Sequence, residues 1–79
     1  MDISDVFVSD KWTRPEKEVV AWQFNLIGDF KKHLWEAISR ADHKNIEKLR
    51  RGFPELIEGY EMWSSGDLGT RLRRAGLDI

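Results

Sequence analysis

The only imidazoles in this 79-residue chain are His33 and His43, and each has a carboxylate one helical turn away, as Asp29/His33 and His43/Glu47. At i, i+4 spacing each pair would share one helix face. Zinc needs three or four converging ligands, so two-residue pairs of this kind read as surface hydrogen bonding rather than a metal site. The chain has no Cys, which removes thiolate-metal, redox and Cys-nucleophile chemistry. Ser and Thr fall at predicted helix ends, with no glycine-flanked Ser and no base oriented by a third group, so nucleophilic catalysis has no apparatus. The expectation is a protein with no catalytic residues, no metal and no cofactor.

Charge offers more. Residues 1–30 hold six acids against three bases, residues 31–51 seven bases against three acids, and residues 52–79 five acids against three bases. The net charge of −1 hides a basic middle. Within it Arg40, Lys44, Lys48 and Arg51 recur at i, i+4, i+8 and i+11, a stripe that could follow a phosphate backbone. Glu36, Asp42 and Glu47 interrupt the stripe, and no aromatic residues interleave with it to stack bases. A solvated helix face is the plainer reading of such mixed charge. The opposite feature is an acidic ridge, Glu55, Glu58 and Glu61, able to mimic phosphates or to meet the basic stripe of a second subunit.

Four Trp are many for a chain this short. Trp12 and Trp22 have no evident place in its core, and Trp is favoured at interface hot spots, so both are candidates for a protein interface. The alternative is that the N-terminal arm folds back over Trp22.

These residues need elements to hold them. Residues 1–12 mix Ile3, Val6, Phe7 and Val8 with three Asp and read as an extended arm, free to pack back or to add to a partner. Thr13-Arg14-Pro15-Glu16 is a helix start, with Thr13 as N-cap, Glu16 closing a capping box, and Pro15 in the first turn. The periodicity predicts one long helix from Glu16 to about Ser39, with Val20, Phe24, Ile27, Phe30, Leu34, Trp35 and Ile38 on one side. Gly28 interrupts it, as a place for close backbone approach or a kink. On an unbroken wheel Trp22 falls among Asp29, His33, Glu36 and Arg40, facing solvent or a partner.

Asp42 suits the N-cap of a second helix that runs to about Arg51 and buries Ile46 and Leu49. Gly52 is expected at a left-handed C′ position, followed by Phe53 as its apolar contact and Pro54 as the first residue of the next helix. That helix carries Leu56, Ile57, Tyr60 and Trp63 and ends at Ser64-Ser65-Gly66. A last short helix from Asp67 offers Leu68 and Leu72 and stops at Gly76.

The prediction is an all-α single domain over residues 1–79, a small bundle of three to four helices (13–79) behind an extended arm (1–12). At this length a domain buries about 60–65% of the surface its unfolded chain exposes, so a monomer would be of modest stability. No apolar run approaches the roughly 18 residues of a membrane span, and residues 1–9 carry acids where a signal peptide has bases, so a cytoplasmic protein is expected.

From Phe30 to Trp63 the pattern Phe30…Leu34…Ala37-Ile38…Ala41-Asp42…Asn45…Lys48-Leu49…Gly52-Phe53-Pro54-Glu55-Leu56…Tyr60…Trp63 resembles small uncharacterised proteins encoded by phages and prophages. The likeness covers a little under half of the chain and supplies no catalytic or ligand residues. It implies a setting, the host cytoplasm, where accessory proteins of this size act as non-enzymatic inhibitors of host or defence proteins, anti-CRISPR-like, or as small regulators. The leading expectation is a protein that binds another protein, host or self, as a homo-oligomer, through Trp12, Trp22 and the acidic ridge. The alternative is a nucleic-acid-binding regulator using Arg40, Lys44, Lys48 and Arg51.

Overall fold

The helix Pro54–Ser64 is the element on which most of the others converge. In the computed structural model, which describes residues 2–79, all regular structure is helical. The order is α1 (Ile3–Val8), α2 (Arg14–Gln23), α3 (Asp29–Arg40), α4 (His43–Gly52), α5 (Pro54–Ser64) and α6 (Asp67–Arg74). Helix α5 packs against α2, α3, α4 and α6, while α1 leans on α2. Among the described residues, six short helices therefore replace the predicted three or four.

The expected arm is a helix. The Asp2 backbone N–H donates to Asp5 Oδ2 at 3.2 Å, and Ile3 and Val6 at i, i+3 turn one face inward, with Val6 fully buried. Three Asp in nine residues argued for an extended segment. All three are exposed, Asp2 at the N-cap, Asp5 in the first turn and Asp10 beyond the helix end, so they cost nothing in desolvation.

The predicted long helix is two helices. Helix α2 begins as expected, with Thr13 Oγ1 accepting from the Glu16 N–H and Glu16 Oε1 accepting from the Thr13 N–H at 2.7 Å. It ends at Phe24, because Asn25 turns left-handed at φ 56°. The Asn25 N–H donates to Trp22 O and the Leu26 N–H to Ala21 O, a Schellman closure with Asn in the place more often held by Gly. Gly28 then serves as the N-cap of α3 with open space about it. The apolar period ran through the break because Phe24, Ile27 and Phe30 kept the phase, although Leu26 and Phe30 are in fact exposed.

The corner between α4 and α5 turns on Phe53 rather than on Gly52. Asp42 caps α4 as expected, accepting from the Asn45 N–H at 2.8 Å, but Gly52 is the last helical residue and not a left-handed one. A residue before proline is pushed out of the helical region. Phe53, at φ −135° and ψ 61°, is accordingly the C-cap of α4 and the N-cap of α5 together. The left-handed glycines are Gly66, between α5 and α6, and Gly76, whose neighbour Leu77 donates its N–H to Leu72 O and buries its side chain.

One apolar core joins these elements through Val6, Val19, Val20, Trp35, Ile38, Leu56, Ile57, Leu68, Leu72 and Leu77. Helices α2 and α5 approach closely at Gly59, where an added Cβ would stand 2.7 Å from Pro15 O and 2.9 Å from Val19 Cγ2. No helix among the described residues is long and apolar enough to cross a membrane.

Candidate binding face on α3 and α4

The break at Asn25 relocates Trp22. Its ring lies parallel to that of Trp35, centroids 4.4 Å apart and planes 3° apart, and meets Trp63 edge-on at 6.3 Å. Trp22 is half-buried against the core rather than standing among the charges of α3, and Trp12 is half-buried as well. One face of the Trp22 ring is spent on Trp35, which leaves less of it for a partner.

The acidic ridge is partly neutralised within the fold. Arg50 of α4 grips Glu61 of α5 with two bonds, Nη1 to Oε1 at 2.8 Å and Nη2 to Oε2 at 2.9 Å, and reaches back to Glu47 at 3.2 Å. Hydrogen bonding to Arg50 holds the Glu61 carboxyl below its ordinary range, and the same bonds raise the Arg50 guanidinium. Glu55 faces Arg14 at 3.4 Å, a looser and exposed pair. Among the described residues, Glu58 is the ridge carboxylate left without an ion-pair partner.

The pairs that suggested imidazole chemistry are taken up elsewhere. His33 Nδ1 lies 2.8 Å from the Asp29 carbonyl oxygen, a contact with backbone rather than with the carboxylate. Glu47 serves Arg50, not His43. Among the described residues no group of three or more His, Asp or Glu converges.

The basic stripe fares differently. Arg40, Lys44, Lys48 and Arg51 are all exposed, and none has a carboxylate within ion-pair distance among the described residues. Their basic neighbours Lys31 and Arg50 do, with Glu18 at 3.0 Å and with Glu47 and Glu61. The fold thus sorts the basic band into cations that tie helices together and cations that face outward.

Two of the outward cations border a groove. The angle between α3 and α4 holds a concavity of about 380 Å³ lined by Ala37, Arg40, Ala41, Asn45, Lys48 and Leu49. Its floor is apolar, its rim carries two positive charges and one amide, and its lining holds no carboxylate. Local sequence accounts for it in part: Ala37 and Ala41 have small side chains, and Asp42 caps α4 where the chain turns out of α3. A second concavity of about 290 Å³ lies beside Phe53, but its charges Glu18 and Lys31 already satisfy each other at 3.0 Å. Arg40 and Lys48 of the groove belong to the predicted basic stripe, whereas Ala37, Ala41, Asn45 and Leu49 carry no residue-type signal of a site beyond the small size of the two Ala.

Compared with known proteins, the chain matches no family model, no curated protein and no solved structure.

Proposed function

We propose that this chain is a non-enzymatic binding domain that takes hold of an acidic, partly apolar segment of a protein partner in the α3–α4 groove. The observation that carries this reading is the groove itself, apolar at its base and rimmed by Arg40 and Lys48 with no carboxylate to neutralise them among the described residues. A segment with one or two apolar side chains and one or two carboxylates would match both features. Lys44 and Arg51 extend the positive field along α4 and would steer such a partner in. The binding surface thereby moves from Trp12, Trp22, Glu55, Glu58 and Glu61 to the face opposite in charge.

The likeness over Phe30–Trp63 to phage and prophage accessory proteins gives this domain a setting. There it would work in the host cytoplasm as an inhibitor of a host or defence protein. A nucleic-acid regulator is the second reading, favoured by the same four unpaired cations and opposed by the lack of aromatic residues in the groove.

Capture from a host lysate on immobilised wild-type protein, compared with Arg40→Glu/Lys48→Glu, separates the readings. A protein retained by wild type and lost by the variant, with or without nuclease, is the expected result. Loss of the retained material on nuclease treatment favours the nucleic-acid reading, and identical retention by both proteins removes the groove from either.

A further inference from the structure

The N-terminal helix of this same chain has the chemistry that the groove lacks, and we propose that a second copy docks it there. Residues 2–10 hold Asp2, Asp5 and Asp10 and no Lys or Arg. Helix α1 buries Val6 and half-buries Ile3, and turns Ser4, Asp5, Phe7 and Val8 outward. Val8 is 82% exposed and Phe7 36%, so two apolar side chains of this short helix meet solvent. Asp5 and Val8 stand at i, i+3 and so share the outer face, one anionic and one apolar.

The groove is the converse surface. Its floor of Ala37, Ala41 and Leu49 offers a place for Val8, and Arg40 and Lys48 stand on its rim for Asp5 and Asp10. The spacing agrees too: Asp5 and Val8 are separated by a rise of about 4.5 Å, close to the one turn, about 5 Å, spanned by each groove wall, Ala37 to Arg40 and Asn45 to Leu49. None of Asp5, Asp10, Arg40 or Lys48 is committed to an ion pair within its own chain among the described residues. Contact between copies would bring opposite charges together at both patches without breaking any internal ion pair. Small area and exposed charge make the association weak, concentration-dependent and sensitive to salt.

This inference rests on the α3–α4 groove being the binding face, and it names the second copy as an occupant. The test is sedimentation equilibrium of the full chain over a range of concentrations, with Val8→Lys, Lys48→Glu and their equimolar mixture. Val8 and Lys48 are exposed, so both variants should keep the wild-type circular dichroism spectrum. The expected result is association above the 9.3 kDa monomer at low salt, weakened about tenfold or more by roughly 0.5 M salt or by either substitution. The mixture should associate again, because each variant retains the surface the other has lost and the new Lys and Glu attract. A strict monomer at all concentrations overturns the proposal, as does association indifferent to both substitutions. If the wild type is monomeric while lysate capture still depends on Arg40 and Lys48, the groove stands as a binding face and only its occupant is wrong.

Discussion

Trp22 of α2 lies flat on Trp35 of α3, ring centroids 4.4 Å apart, across the turn at Asn25 that separates their helices. The stack holds α2 and α3 in the angle that periodicity alone would have straightened. Parallel displaced rings add about 0.5–1.5 kcal/mol to the burial they share. Trp22→Ala is therefore expected to cost about 2–4 kcal/mol in urea unfolding followed by circular dichroism, as large-to-small changes against a core do. A cost below about 0.5 kcal/mol, the range of ordinary surface substitutions, would place Trp22 outside the core after all.

Trp35 gives a contrasting expectation. It is fully buried, yet its Nε1 has no hydrogen-bond partner. Leaving a buried donor unpaired costs about 1–3 kcal/mol, so Trp35→Phe removes a penalty along with some packing. The same unfolding measurement should show it to be the milder of the two substitutions, and a larger loss than that of Trp22→Ala would contradict this.

Two glycines should respond in opposite directions to alanine. At Gly59 a Cβ would meet the Pro15 carbonyl oxygen at 2.7 Å, a backbone atom that cannot swing aside. Overpacking costs about 1–3 kcal/mol and outweighs the roughly 1 kcal/mol that Ala gains in helix propensity. Gly52 ends α4 with nothing within 4 Å of its Cβ position and no positive φ, so Gly52→Ala should stabilise by about 0.5–1 kcal/mol. Thermal unfolding of the two variants checks both signs.

Glu16 makes stability depend on acid. Its side chain is 6% exposed, bonded to Arg71 at 2.6 Å and closing the Thr13 capping box. Burial pushes its pKa up, but the Thr13 N–H and Arg71 outweigh this and hold it below the ordinary 4.5. A carboxyl with a depressed folded-state pKa contributes fully above its unfolded value and loses that contribution as pH falls through the folded one. The unfolding temperature of the wild type should fall below about pH 4.5 more steeply than that of Glu16→Gln. At neutral pH the substitution should cost about 1–2 kcal/mol, since Arg71 is 41% exposed and the pair is partly screened. Parallel curves for the two proteins would contradict the assignment.

Capping chemistry was legible in the residue types themselves: Thr13 with Glu16, Asp42, Pro54 and Gly76 all hold the positions their types suggest. The misplacements share a cause, which is that periodicity records phase and not continuity. Leu26 and Phe30 lie in phase with the core and outside it, while Asn25, a poorer signal than Gly, makes the turn. Gly28 and Gly52 drew attention by position, whereas Gly59, the glycine that admits a neighbouring backbone, sat inside an ordinary helical pattern. For the candidate site the charges were legible but not their pairing. Sequence spacing cannot tell that Arg50 reaches Glu61 on the next helix while Lys48, two residues earlier, reaches no carboxylate among the described residues.

The central claim is that binding falls on the α3–α4 face. Backbone amide resonances of the isotopically labelled chain, followed as unlabelled cell lysate is added, locate the contact directly. Ala37, Arg40, Ala41, Asn45, Lys48 and Leu49 are expected to shift or broaden first. Selective change at Trp12, Trp22 and Glu55 to Glu61, with the groove residues unmoved, would contradict it.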